Sequence, residues 1–260
     1  MKKLILLFLS LFFVACSSGI DYISERNDVN IRIDGEYSDW QGILKPVNKE
    51  GFVAGFIKQN EKIFLCFVIS DRNKINKILR NGSTVYLQNN YIESFGIKYP
   101  LINNLRNIRP DKELMNLGQP GKENISEEIL DKIIESFTEF SIINKDEYPI
   151  NTFMVDSKTN YKVKLKYKDY KLVYEIEINT SGLNLFDDIN ELKELKIGIV
   201  STVPNIPREN RRPPEFENDD EDDRGMMTKN RQNGGGGIKR RENLEEMQKP
   251  FEFWFNVKFN

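Results

Sequence analysis

The chain has 260 residues, of which 39% are apolar, and its 38 Lys and Arg against 40 Asp and Glu give a formal charge of −2. That is enough apolar material for one large domain or two small ones, and a mildly acidic body lacks the concentrated cationic face that phosphate-dominated nucleic-acid binding requires. The absence of histidine removes Ser-His-Asp and Cys-His nucleophile pairs, imidazole metal ligands and the usual general base near neutral pH.

Met1-Lys2-Lys3 is a short cationic stretch, and Leu4 to Val14 is an apolar run broken only by Ser10. This is the layout of a secretory signal peptide over residues 1–15. A bilayer-spanning helix needs about twenty apolar residues, more than the run supplies. Its end, Phe13-Val14-Ala15-Cys16-Ser17-Ser18, resembles the lipobox of bacterial lipoproteins, with Phe13 where that family usually has Leu. The resemblance implies cleavage before Cys16, acylation of Cys16 by chains such as palmitate, and anchoring to the membrane of the cell envelope. Ser17 and Ser18, rather than Asp, after the cysteine fit the outer membrane if the host has two membranes. Residues 16–28 then read as a polar tether and residues 29–260 as the folded domain. With Cys16 acylated, Cys66 has no intramolecular partner and no disulfide framework is expected. Cys66 lies within the apolar run Ile63 to Ile69 and reads as a small buried hydrophobe.

Strand signals follow. Val29, Ile31 and Ile33 alternate with polar residues up to an Asp34-Gly35 turn, and Phe52–Ile57 with Ile63–Ile69 predicts a hairpin across Lys58 to Glu61. The second arm is apolar on both faces, as expected of a central strand between layers. Val85-Tyr86-Leu87 and Phe95-Gly96-Ile97 predict a further pair, and Leu101 to Glu123 reads as a long loop. Asn124 with Glu127 suggests a capping box, and Ile125, Ile129, Ile133, Phe137 and Phe140 recur at helical spacing, predicting one amphipathic helix. Tyr161, Val163, Leu165 and Tyr167 alternate with four lysines. After an Asp169-Tyr170 turn, Leu172, Tyr174, Ile176 and Ile178 alternate with Val173, Glu175 and Glu177, which predicts a hairpin whose Lys and Glu form a solvated, ion-paired face. Leu195 to Val203 is another strand. From 205 to 249 the apolar periodicity is lost among Arg-Pro, acidic and Gly-rich runs, which reads as a disordered insert. The closing strand places Phe251, Phe253, Phe255, Val257 and Phe259 on a core face and Trp254, Glu252, Asn256 and Lys258 on the other. The expected fold is a mainly β, jelly-roll-like antiparallel sandwich with one helix and a long insert before the last strand.

The stretch Ile31-Arg32-Ile33-Asp34-Gly35-Glu36-Tyr37-Ser38-Asp39-Trp40 resembles the opening signature of family 9 carbohydrate-binding modules, whose motif residues here are Asp34, Gly35, Asp39 and Trp40. Ile63 to Asp71, Leu172 to Ile178 and Ile197-Gly198-Ile199 resemble later strands of that family in the same order. The chain is also similar to envelope lipoproteins of this fold that carry a Gly-rich insert. The resemblance implies a β-sandwich with a capacity for glycan binding, no catalytic residues, no cofactor, and room for a structural calcium to which Asp71 or Asp34 would contribute. Sugar binding needs aromatic faces flanked by polar groups. Trp254 with Asn256 and Glu252 fits this best, followed by Trp40 and Tyr86, with Tyr91 and Tyr99 as lesser candidates; for Trp40 a structural role at the end of the sandwich is the stronger reading. The leading expectation is therefore a non-catalytic envelope lipoprotein that binds glycan or another surface polymer. The alternative is an adapter whose charged insert holds another envelope protein, and a carboxylate-based hydrolase is a third reading with no distinguishing residues.

Overall fold

The computed structural model describes residues 20–24, 29–48, 51–89, 95–102, 126–144, 149–181, 192–202 and 249–259. The signal peptide over 1–15, Cys16, Asn124, Ile125, Tyr91 and the insert over 205–248 lie outside the described residues. The chain divides into two units, Met1–Thr202 with Phe251–Asn260, and Val203–Pro250. All elements below belong to the first.

Two sheets form a sandwich. The larger has seven strands in the order β1 (Ile20–Ser24), β12 (Glu252–Phe259), β11 (Glu194–Ser201), β5 (Ser83–Gln88), β6 (Phe95–Tyr99), β7 (Glu139–Ile143) and β8 (Pro149–Met154). The smaller has five, in the order β2 (Lys45–Asn48), β3 (Phe52–Gln59), β4 (Lys62–Ile69), β10 (Lys171–Asn179) and β9 (Tyr161–Lys168). Neighbours are antiparallel except for β1, which runs parallel to β12. The mainly β sandwich expected from periodicity is the fold observed.

The inner faces meet through aromatic rings. Phe52 and Phe253 have centroids 4.8 Å apart, and Phe56 and Phe255 5.2 Å. The Asp169-Tyr170 turn joins β9 to β10 with both residues at positive φ, 50° and 61°, as a tight hairpin turn with the twist of its strands demands. β4 sits between β3 and β10 and is buried on both faces, as its unbroken apolar sequence predicts. Ile63, Leu65, Phe67 and Ile69 face the main core. Phe64, Cys66 and Val68 belong to a second, smaller core with Ile31, Trp40, Ile43, Ile57 and Val173, built where residues 29–44 lie over the outer face of the five-stranded sheet.

Several expectations need correction. Residues 29–33 form no strand: the Arg32 N–H turns to the Asp39 side chain at 3.2 Å, and the alternating apolar residues serve as a cover rather than as a sheet member. There are two α-helices among the described residues, not one. The unforeseen α1 (Arg72–Asn81) starts where Asp71 accepts the Lys74 N–H at 2.9 Å and buries Ile75, Ile78 and Leu79. The expected helix, α2 (Glu127–Glu135), stops at Ser136; Phe137 lies beyond it and Phe140 belongs to β7, so the helical spacing of those two was coincidental.

The tether expected over 16–28 is also corrected at Ile20–Ser24, which is β1. Tyr22 is 5% exposed, packs edge-to-face on Phe56 at 4.8 Å and donates its hydroxyl hydrogen bond to the Ile43 carbonyl. A five-residue stretch, Ile-Asp-Tyr-Ile-Ser, is too short for its periodicity to announce a strand; its partner β12 supplies the reason it forms. Tyr22→Ala should therefore destabilise the domain by about 3 kcal/mol or more, the usual cost of truncating a buried aromatic. A urea unfolding curve measures this; a change near zero would restore the tether reading.

Candidate functional site

The Asp34-Gly35 and Trp40 signature is built around one carboxylate. Glu175, fully buried on β10, accepts hydrogen bonds from Asp34 N–H at 3.0 Å, Gly35 N–H at 2.6 Å and the Trp40 indole N–H at 2.7 Å. Gly35 has φ of 81°, and a Cβ there would stand 2.5 Å from Lys166 Cβ, so no other residue fits the turn. The Trp40 ring lies against Gly55, where a Cβ would come within 2.9 Å of it. Asp39, at the end of the short 3-10 helix 37–40, holds the Arg32 N–H. Trp40 is 0% exposed, so it is removed from the ligand-binding candidates: its role is to close the second core. The expected solvated face is likewise corrected at Glu175. Burial pushes its carboxyl up to about 7, against the opposing pull of the Gly35 and Trp40 donors.

The remaining candidates meet on the outer face of the seven-stranded sheet. Tyr86 on β5, Gly198 on β11 and Trp254 on β12 stand in register across three adjacent strands, with Gly96 on β6 next to Tyr86. The indole of Trp254 lies flat over Gly198: a Cβ there would be 2.6, 2.6 and 2.7 Å from three successive ring carbons. The Tyr86 and Trp254 rings are near-parallel, 21° apart with centroids at 6.2 Å. Both are half-buried. Glu252 accepts the Trp254 indole N–H and so fixes the ring's rotation. Lys196 Nζ stands over the same ring, 4.8 Å from its centroid, a cation–π contact. Asn256 donates to Asp21 at 3.3 Å. The result is a flat aromatic surface with an ammonium over it and a carboxylate and an amide beside it.

Sequence reasoning named Trp254, Asn256 and Tyr86, and these come together. It missed Gly198, Lys196 and Asp21, because their places depend on the pairing of strands far apart in the chain. Tyr99 is corrected: it is 2% exposed, its hydroxyl donates to the Phe137 carbonyl at 3.3 Å, and burial raises its phenol far above the ordinary range. Cys66 is buried, and burial raises its thiol, as suits an inert hydrophobe. Asp71 caps α1, and Asp34 Oδ1 accepts the Glu36 N–H at 2.9 Å. Among the described residues no three His, Cys, Asp or Glu side chains converge on a metal position.

No protein-family model and no curated protein matches this sequence. Among solved structures the chain is similar to a family 9 carbohydrate-binding module from Caldicellulosiruptor kristjanssonii in complex with glucose, at 9% identity over 69% of this chain and 76% of the module, with a TM-score of 0.33. It is similar also to such a module from that organism in complex with cellotriose, at 9% identity over 70% and 74%, with a TM-score of 0.31. The sandwich described above stands on its own strand pairing.

The Glu175 arrangement predicts a pH dependence. A carboxyl that titrates at about 7 when folded and at 4.5 when unfolded keeps, between those values, a proton that the unfolded chain has released. The Glu175 contribution to stability is therefore highest below about pH 4.5, falls as pH rises to about 7, and is flat beyond. At about 1.4 kcal/mol per pH unit the loss is about 3 kcal/mol. Urea unfolding across this range should show the decline in the wild type and a flatter profile in Glu175→Gln; parallel profiles would refute it.

Proposed function

We propose that this chain is a non-catalytic binding module that recognises glycan on the Tyr86–Trp254 surface, and that acylated Cys16 holds it at the cell envelope. The observation that carries the reading is the flat indole over Gly198 with the Glu252 carboxylate at its N–H edge. A pyranose ring presents axial C–H groups on one face and hydroxyls at its periphery. The first pack on an aromatic face, and the second need donors and acceptors at the rim. Glu252 and Asn256 supply those groups, and the flexible Lys196 side chain has to move off the ring face to admit the sugar. Charge relay through histidine is excluded by composition. The outer membrane is the proposed destination if the host has two membranes.

Titrating the chain against a panel of neutral glucans and envelope polysaccharides tests this. Trp254→Ala should weaken binding by about tenfold or more, equivalent to about 1.4 kcal/mol, with cooperative unfolding retained. Gly198→Ala should do the same through its Cβ, which displaces the indole while no ligand-facing residue is itself replaced. Binding that survives both changes, or its absence across the panel, would overturn the proposal. Mass spectrometry of the exported protein checks the anchor: an unacylated, uncleaved chain would remove that half of the reading.

A further inference from the structure

The outer face of the five-stranded sheet carries a second concavity, unconnected with Trp254. Where Ile31 to Ile33 pass over the ends of β3, β4 and β10, a cleft of about 530 Å3 opens, within the roughly 300–1,000 Å3 range of small-ligand sites. Its floor includes the buried apolar side chains Phe64 and Ile31. Above them lies Glu177, 6% exposed. Its carboxylate receives Lys62 Nζ at 2.9 Å and Lys162 Nζ at 3.1 Å from each oxygen. The buried carboxylate thus fixes two ammonium groups at the wall of the cleft before any ligand arrives, which lowers the ordering cost of binding.

Two ammonium groups, Lys62 and Lys162, share the one Glu177 carboxylate, while Arg32 is met by Asp39 and the Glu61 carboxylate is engaged by the Ser181 hydroxyl. An ammonium carries three N–H donors and a guanidinium five, more than these contacts use: Lys62 spends one on Glu177, and Arg32, with 71% of its side chain exposed, approaches Asp39 only at 3.8 Å. Asn179 adds an amide to the same wall. The cleft therefore combines an apolar floor, an amide and a lysine pair that shares a single carboxylate.

We propose that this cleft binds a carboxylate-bearing sugar unit, a uronic acid. Arg32 and the lysine pair receive the carboxylate, the amide and remaining donors receive ring hydroxyls, and Phe64 with Ile31 meets an apolar ring face. A neutral sugar leaves the lysine pair with its single carboxylate, and a simple carboxylate leaves the floor and the amide unused. This site is independent of the aromatic surface on the other sheet.

The test follows amide resonances of the isotope-labelled full chain titrated with D-glucuronate, D-glucose or acetate at constant ionic strength. Glucuronate should give saturable shifts at residues 30–32, 59–62 and 177–179, with glucose and acetate at least about tenfold weaker. Arg32→Gln, at an exposed side chain, and the pair Arg32→Gln with Lys162→Gln should each weaken glucuronate with the spectrum otherwise intact. Trp254→Ala should leave it unchanged, so failure here is separable from failure of the glycan platform. The proposal is overturned by absence of saturable shifts, by acetate binding as well as glucuronate, or by full binding in the Arg32 and Lys162 variants.

Discussion

A single buried carboxylate organises one side of this molecule. Glu175 sits on a central strand with no cation among the described residues paired to it, and hydrogen bonds reach it from the Asp34 and Gly35 backbone and the Trp40 indole. An unpaired carboxylate inside apolar surroundings is costly, so the covering segment has to supply donors, and supplying them holds residues 29–44 against the sheet. Trp40 then lies on Gly55 and the second core closes over Phe64, Cys66 and Val68. Without that cover β4 would expose three large or medium apolar side chains to water. The strand's two-sided hydrophobicity and the Asp-Gly to Trp signature are thus two halves of one arrangement.

The opposite sheet solves a different problem with glycines. Gly198 and Gly96 share a cross-strand row with Tyr86 and Trp254. A side chain at Gly198 would hold the indole upright, whereas its absence lets the ring lie flat and present a face. The position costs strand stability, since glycine packs nothing and gains no β preference. Its retention beside a half-buried tryptophan with a fixed rotation is what separates this patch from an incidental surface aromatic.

Legibility in the sequence followed the range of the interactions. Hairpins joined by short turns, β3–β4 and β9–β10, were readable because alternation and turn residues lie side by side in the chain. β1 was not, because Tyr22 earns its place only by packing on Phe56, and its ladder partner lies at the far end of the sequence. Helix α1 was hidden by its short apolar spacing and polar composition, although Asp71 ahead of Ile75, Ile78 and Leu79 was the signal that could have found it. The candidate site was half legible: Trp254 and Asn256 share a strand and a face, so period two found them together. The floor at Gly198 and the ammonium of Lys196 come from a register that no local pattern encodes.

The divergence of Glu175 and Glu177 shows why local patterns mislead even when they are correct. The two stand two residues apart on one face of β10, each in register with a lysine of β9, Lys164 and Lys162 respectively. Alternation predicts the same environment for both. Glu177 keeps the expected cross-strand pair with Lys162 and gains a second with Lys62, because the covering segment passes beside it without sealing it. Glu175 lies under the seal, where N–H groups reach it in place of an ammonium. A long lysine side chain can follow a carboxylate at a cleft edge and keep its charge in water, but beneath a packed tryptophan the same ammonium would have to lose its hydration. The boundary of the second core therefore decides the chemistry of each carboxylate: beneath it a structural fastener that carries a pH dependence, and at its margin a charged cleft open to ligand.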